Sequence, residues 1–245
     1  MNRTKIEYVD YTWNPVTGCL GPGGTPEEPK RCSYCYAHRL AKGRLKHIYL
    51  AKFPAAVALS QEGKIDPFWP RFWISRMNEP VFYKESAKIF ISDMGDLFGA
   101  WIPNPWIVRI LETVRACPQH TFLLLTKNPA RYKEFQSWPG NCWLGTTVTN
   151  QQDWDERWPE MEKVGALCKW VSFEPLLMHI GRLSWAMETP DWIVIGGLTG
   201  AGKQEPPRGV IGLTKFADFW GIPVFHKDNL DCEALGIERR QEWPR

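Results

Sequence analysis

Three of the seven cysteines lie close together in the first part of the chain. Cys32 and Cys35 form a C-x-x-C pair, and Cys19 precedes the pair across a segment rich in Gly and Pro. Such a segment predicts an exposed loop that lets Cys19 approach the other two sulfurs. Thiolates are soft, anionic ligands, and three of them suit an iron–sulfur cubane that keeps one iron open. The cysteines therefore predict a metal site with a free coordination position.

The same cysteines allow a second interpretation, a structural zinc site. His38 follows Cys35 by one helical turn and would complete a tetrahedral set with the three sulfurs. In this alternative the chain is a zinc-stabilised module that binds nucleic acid through Arg, Lys and Trp and has no catalytic activity. A closed zinc site does not explain the polar residues that follow the predicted strands.

Polar or glycine residues follow each predicted strand in the remaining sequence. In a sheet of parallel strands the carboxyl ends share one edge, which is where the active sites of α/β barrels lie. Carboxylates, hydroxyls, an amide and an ammonium gathered there predict a binding site for a polar ligand. The candidate binding residues are Asp93, Asp96, Lys127, Thr147, Asn150, Glu174, Gly196 and Gly197.

The strands that must position these residues are short runs rich in β-branched and aromatic residues. They cover residues 88–92, 121–125, 143–148, 169–173, 192–196 and 223–226, with an extended segment before Cys19. Spacings of this size hold a strand, a helix and two loops, which predicts a parallel sheet. We therefore predict an α/β fold, a partial (β/α)6 TIM-like barrel with an additional element. It forms a single domain over residues 1–245, with the cluster-binding loop at 14–36.

Helices are predicted between these strands. The ranges are 105–116, 151–163 and 213–220, preceded by a helix that starts near Cys35 and is weakened by Gly43. Residues 53–80, which include FWPRFW, are predicted to be a less regular helical stretch that packs or forms a lid.

A glycine-rich stretch at residues 197–204 nearly matches a phosphate-binding P-loop. Gln204 stands where that motif needs Ser or Thr for magnesium, and Pro206 and Pro207 oppose the helix that should follow. We therefore expect a loop through which the backbone approaches adenosine or substrate.

Eight motifs follow one another along the chain: TWNPVTGC, CSYCYA, ISDMGDLF, LLTKNP, WLGTTVTN, VSFEPLL, DWIVIGG and PVFHKDN. As an ordered set, these motifs resemble the radical S-adenosylmethionine superfamily. The similarity is closer to a phage-associated branch with no assigned reaction and more distant to spore photoproduct lyase. The superfamily commonly places three residues between its first two cysteines, whereas twelve separate them here.

The resemblance implies two cofactors, a [4Fe–4S] cluster held by Cys19, Cys32 and Cys35 and S-adenosylmethionine chelated by its fourth iron. It also implies an electron donor such as flavodoxin or ferredoxin. Tyr34 would lie beside the adenine, and Asp93 or Asp96 would accept from the methionine ammonium. The ribose and amino acid moiety would contact Thr147, Asn150 and Glu174.

The composition excludes some classes of protein and leaves the substrate open. With 44% hydrophobic and 23% charged residues and a formal charge of +3, the chain is neither disordered nor strongly basic. It has no apolar run that could span a membrane and no signal peptide pattern, so we expect a cytoplasmic protein of a bacterium or of a phage in a bacterial host. The resemblance suggests nucleic acid, a nucleotide or a modified nucleobase as substrate. The sequence alone does not identify a catalytic residue.

Overall fold

The computed structural model describes residues 1–50, 66–183, 188–198 and 209–244. Within these residues no helix is both long and apolar enough to cross a bilayer. The strands are β1 (Asn2–Arg3), β2 (Tyr11–Trp13), β3 (Val16–Thr17), β4 (Arg71–Phe72), β5 (Lys88–Ile91), β6 (Thr121–Thr126), β7 (Cys142–Thr147), β8 (Cys168–Phe173), β9 (Trp192–Ile195) and β10 (Val224–His226). The α-helices are α1 (Tyr36–Lys42), α2 (Lys46–Leu50), α3 (Asn104–Arg115), α4 (Gln151–Glu162) and α5 (Val210–Trp220).

Eight of these strands form one sheet in the order β1-β2-β5-β6-β7-β8-β9-β10. All neighbours from β2 to β10 are parallel, and only β1 runs antiparallel to its partner. All six predicted strands are present, and β2 adds a seventh parallel strand. Within the described residues the sheet does not close on itself, since β1 and β10 stand at its two ends. The α/β fold with an open, TIM-like parallel sheet is therefore confirmed.

The outer face of the sheet is covered by helices. The predicted stripe of α3 is buried against it through Ile107, Ile110, Leu111 and Val114. From the strands Ile89, Leu124 and similar outward-facing residues join the same core. Because residues two apart on a strand share a face, the residues between these point to the other side of the sheet.

The inner face of the sheet carries a layer of aromatic side chains. Tyr8, from the loop after β1, packs edge-on against Trp192 with ring centroids 5.5 Å apart, and Trp170 lies 5.3 Å from Trp192. Phe90 and Phe225 complete the layer. A Cβ atom on Gly145 would lie 2.4 Å from the Trp170 ring, so only glycine leaves room for that indole. These aromatic residues fill the space that the curved sheet encloses.

The predicted helices are confirmed, with ends that differ by a few residues at most. α1 ends before Gly43, as its low helix propensity leads one to expect. The expected helical stretch over 53–80 is only partly present where the structure describes it, as short 3-10 helices at Ile74–Arg76 and Pro80–Phe82. Residues 51–65 lie outside the described part. FWPRFW contributes β4, which pairs with β3, and its Phe68 and Trp73 are buried, so this motif packs.

The outer edge of β10 is covered by the end of the chain. The Arg240 carbonyl accepts from the His226 amide at 2.7 Å, and the Glu242 amide donates to the Val224 carbonyl at 3.0 Å. An antiparallel bridge joins Phe225 to Gln241. At the opposite end of the parallel array, β1 covers β2 in the same antiparallel sense.

Candidate active site

A cavity of about 800 Å³ lies at the carboxyl ends of the parallel strands. Its wall includes residues from the loop before α1, from α1 itself and from the ends of β5, β6, β7 and β8. This volume is typical of pockets that hold cofactor-sized ligands. The position matches the edge of the sheet at which the polar strand ends were predicted to meet.

All three clustered cysteines line this cavity and are half-buried. The Cys19 sulfur accepts a hydrogen bond from the Gly21 amide at 3.2 Å. Cys35 is the N-cap of α1, and its sulfur accepts from the His38 amide at 3.4 Å. The loop and the start of α1 therefore bring the three cysteines to the same cavity.

Burial raises the pKa of Cys19 to about 12, and the Asp96 carboxylate and Cys35 add to this effect. The thiol is therefore protonated at neutral pH in the protein alone. A cationic metal centre would be needed to favour the thiolate, because metal binding to cysteine releases the proton.

The three cysteines that line the cavity have the sulfur donors that iron–sulfur clusters use. Among the described residues, no three His, Cys, Asp or Glu side chains are grouped closely enough to hold one metal ion. A four-iron cluster is larger than one ion, so its thiolate ligands lie farther apart. The three thiols line one cavity without being grouped around a single-ion position.

His38 does not join the cysteines, contrary to the zinc alternative. It is not among the residues that line the cavity, and its ring packs on Phe68 with centroids 5.4 Å apart. Its Nε2 atom is buried without a hydrogen-bond partner in the described structure. The fourth ligand of the zinc alternative is therefore not brought to the three sulfurs.

Asp93 lines the cavity and is held by its neighbours. Its carboxylate accepts from Asn14 Nδ2 at 2.6 Å, and the Tyr36 hydroxyl donates to its backbone carbonyl at 2.7 Å. Burial raises the pKa of Asp93, while the hydrogen bonds from Asn14, Thr12 and Tyr36 oppose that rise. A ligand with an ammonium group would find a positioned carboxylate here.

Asp96 also lines the cavity, but both of its oxygens are already engaged. One accepts from the Thr126 hydroxyl at 2.7 Å and from the Phe98 amide, and the other accepts from the Lys127 amide at 3.0 Å. Asp96 thus links the ends of β5 and β6. Both predicted aspartates therefore line the cavity, and each carboxylate already accepts hydrogen bonds from protein groups.

Tyr34 and Lys127 both line the cavity and lie next to each other. The Lys127 ammonium lies 5.8 Å from the centroid of the Tyr34 ring, within the range of a cation–π contact. Burial and the neighbouring Cys32 raise the pKa of Tyr34, so its hydroxyl stays protonated. Both predicted residues are therefore brought to the site, next to the C-x-x-C pair.

Of the predicted residues Thr147 and Asn150, only Thr147 lines the cavity. Thr147 is buried at the end of β7 and lines the cavity. Asn150 does not line it, because its side chain caps α4 by accepting from the Asp153 amide at 2.9 Å. Because Asn150 directly precedes a predicted helix, the sequence could have indicated its role as the N-cap.

The two predicted glycines also differ. Gly197 lines the cavity and makes two hydrogen bonds with the side chain of Asn229. The Gly197 amide donates to Asn229 Oδ1 at 3.1 Å, and Asn229 Nδ2 donates to the Gly197 carbonyl at 2.8 Å. Gly196 is not among the lining residues, and a Cβ atom there would lie 2.9 Å from the Lys227 side chain and 3.2 Å from that of Glu174. Gly196 therefore makes room for an ion pair. The predicted glycine loop that continues past Gly197 lies outside the described residues from position 199 to 208.

Glu174 forms that ion pair with Lys227. The Lys227 ammonium also lies 3.3 Å from Glu7, which precedes β2. Burial alone would lower the pKa of Lys227, but the carboxylates of Glu174 and Glu7 outweigh it and raise the pKa. Lys227 is therefore charged at neutral pH. No sequence pattern pointed to Glu7, since it approaches the site from the far end of the chain.

Two serine hydroxyls on the cavity wall have no partner among the described residues. Ser92 follows β5, and Ser172 lies near the end of β8; they are 3% and 0% exposed. Ser92 also has a backbone φ of +61°, which L-residues rarely adopt. A buried hydroxyl without a partner is costly, and strained backbone clusters at ligand sites. Period-two alternation could have found both serines, since Phe90 and Trp170 two residues earlier point inward.

Comparison with known proteins assigns the family. The model described as "Protein of unknown function (DUF5131)" matches residues 3–234. The chain is a DUF5131 protein. No curated protein matches its sequence.

Two solved structures of spore photoproduct lyase share the fold of this DUF5131 chain. One, which carries a single Cys-to-Ser substitution, is 14% identical with a TM-score of 0.51; the other, complexed with dinucleoside spore photoproduct, is 13% identical with a TM-score of 0.50. Each match covers 80% of this chain, which spans 57% of the length of either structure. At this identity the likeness shows the fold alone.

Proposed function

We propose that the protein is a radical S-adenosylmethionine enzyme that acts on nucleic acid or a modified nucleobase. The observation that carries the proposal is that Cys19, Cys32 and Cys35 line the same cavity as the polar strand ends. The shared fold and the ordered motifs support it. Dinucleoside spore photoproduct, bound in one of the neighbours, supports a nucleic-acid substrate.

The three cysteines would hold a [4Fe–4S] cluster beside the cavity. When bound, the cluster and S-adenosylmethionine would supply reductive cleavage of the sulfonium C–S bond, which yields methionine and a hydrogen-abstracting 5′-deoxyadenosyl radical. An electron donor such as flavodoxin or ferredoxin and the link to a phage-associated branch remain predictions.

The protein's own residues would bind and orient the cofactor. Asp93, positioned by Asn14 and Tyr36, would accept hydrogen bonds from the methionine ammonium. Tyr34 would lie against the adenine, and Thr147 would donate or accept at the ribose hydroxyls. Asn150 is not proposed for this role because it caps α4.

The test is anaerobic reconstitution followed by incubation with S-adenosylmethionine and sodium dithionite. We expect about four iron and four sulfide per chain and release of 5′-deoxyadenosine. Cys35→Ala should lose most of both. Zinc without iron, and no nucleoside released, would contradict the proposal and favour the zinc-stabilised binding module.

The matched control is Cys232→Ala. Cys232 is buried and does not line the cavity, so its removal should leave the iron content and the 5′-deoxyadenosine yield unchanged. Equal losses in the two variants would show that the effect of Cys35→Ala comes from damaged folding.

A further inference from the structure

The cavity carries more positive charge than the chain as a whole. Its described lining includes seven Lys or Arg and three Asp or Glu residues, whereas the whole chain has a formal charge of +3. Some of these cations are already engaged by protein groups. Arg31 pairs with Asp66 at 2.5 Å, and Arg76 lies 4.1 Å over the Trp73 ring.

Three other cations are exposed at the mouth of the cavity. Arg3 and Lys5 belong to β1 and the residues after it, and Arg44 lies in the corner between α1 and α2. All three line the cavity, and none forms an ion pair with a described residue. Two separate parts of the chain thus present free cations at one opening.

The interior of the cavity has a different character. Behind the mouth lie the unpartnered hydroxyls of Ser92 and Ser172, which can each donate and accept a hydrogen bond. The ion-paired carboxylate of Glu174 lies on the same wall. A ligand that matches both regions has an uncharged polar group inside and an anionic group outside.

We propose that Arg3, Lys5 and Arg44 bind the phosphodiester backbone of a nucleic-acid strand, so that one base enters the cavity and meets Ser92 and Ser172. The substrate class rests on the proposed function, and the inference adds the groups that bind the strand and its orientation. Phosphate contacts hold and orient a strand, while polar groups in the interior read the base.

The first experiment measures binding of a fluorescein-labelled single-stranded oligonucleotide to the full chain over a range of salt concentrations. The variant carries Arg3→Ala, Lys5→Ala and Arg44→Ala. We expect about tenfold weaker binding near physiological salt. The slope of log K against log salt should also fall by about two, since single strands contribute roughly 0.7 per phosphate contact.

The matched control removes the same charge elsewhere through Lys84→Ala, Arg109→Ala and Lys215→Ala. These residues are exposed and do not line the cavity. Unchanged affinity and slope in the control support the assignment. Equal losses in both triple variants, or no loss in the mouth variant, would overturn it.

The second experiment tests the entry of a base. The wild type should bind the oligonucleotide more tightly than an abasic strand with the same phosphates, and Ser92→Gly with Ser172→Ala should abolish that difference. Glycine accepts the positive φ of residue 92, so this variant is expected to fold. If the serine variant keeps the full preference for bases, the orientation is wrong.

Failure of strand binding can be distinguished from failure of the proposed radical chemistry. Strand binding is measured without S-adenosylmethionine or a reductant, so its result does not depend on cleavage of the cofactor. If the wild type binds the strand with the expected salt slope but releases no nucleoside, only the radical chemistry fails.

Discussion

At the scale of single residues, Lys227 connects distant parts of the chain. Its ammonium contacts Glu174 at the end of β8 and Glu7 before β2 while itself following β10. The two carboxylates lie close enough to share one cation, so neither can be left alone at low cost. Lys227 therefore stabilises the cavity wall independently of any ligand.

We predict that Lys227→Met destabilises the protein by about 2 kcal/mol, because it leaves two largely buried carboxylates without their counter-charge. Urea unfolding at neutral pH measures this loss. Lys163→Met is the control, since Lys163 pairs with Glu160 at 2.6 Å on the surface and should cost less than about 0.5 kcal/mol. Similar losses in both variants would show that the three-residue network has no special role.

How far the site could be predicted from the sequence depends on where each residue comes from. Tyr34, Lys127, Thr147 and Glu174 line the cavity because each lies in the cysteine loop or at a strand end, where its position can be read locally. Glu7 could not be found in this way, since only the tertiary fold brings it to Lys227. Asn150 misled the prediction because a strand-end residue that also starts a helix has two possible roles.

At the scale of elements, His226 joins β10 to α5. Its Nδ1 accepts from the Arg240 amide at 3.1 Å, so its proton lies on Nε2 and is donated to the Thr214 hydroxyl at 2.9 Å. Thr214 in turn donates to the Val210 carbonyl. Burial lowers the pKa of His226 to about 4, with Arg240 and Arg239 adding to the effect. The neutral ring therefore holds the strand to the helix.

We predict that stability falls as His226 is forced to take up a proton. The unfolded chain binds this proton below about pH 6.5 and the folded chain only near the lowered pKa, so the stabilisation is complete above 6.5 and is lost as the pH falls toward 4. Between about pH 7.5 and about pH 5 the loss is about 2 kcal/mol. Urea unfolding at the two pH values measures it.

The control variants separate His226 from other titrating groups. His226→Asn keeps an acceptor for the Arg240 amide and should flatten the pH dependence by about that amount. His47→Asn, on the exposed side of α2, should leave it unchanged. If both variants behave like the wild type, His226 is not the responsible group.

The predictability of the elements follows from their length. Six strands of three to six residues were found because apolar runs recur at the spacing of βαβ units. β1, β3 and β4 have two residues each, too few to show any periodicity. Their positions depend on pairing with other segments, which local sequence does not encode.

At the scale of the whole molecule, the inner aromatic layer joins the start, middle and end of the chain. Tyr8 contacts Trp170, Trp192 and Phe225, and the Trp243 indole donates to the Tyr8 carbonyl at 3.2 Å. A layer built from such distant segments cannot form from part of the sequence.

We therefore predict that the chain unfolds in a single transition, as expected for one domain. Tryptophan fluorescence, which reports on the inner layer, and far-ultraviolet circular dichroism, which reports on the helices, should give the same midpoint in urea. Separate midpoints, or a calorimetric enthalpy well above the van't Hoff value, would show that the chain folds as more than one unit.

The short antiparallel segments at the two ends of the sheet also bear on how copies of the protein meet. A bare edge strand offers a row of unsatisfied amides to a neighbouring chain, which is a common route to fibres. Here β1 is very short, and residues 240–242 hydrogen-bond to β10. We therefore do not expect copies of the protein to pair strand to strand at these edges. An assembly of several copies would depend on contacts between side chains.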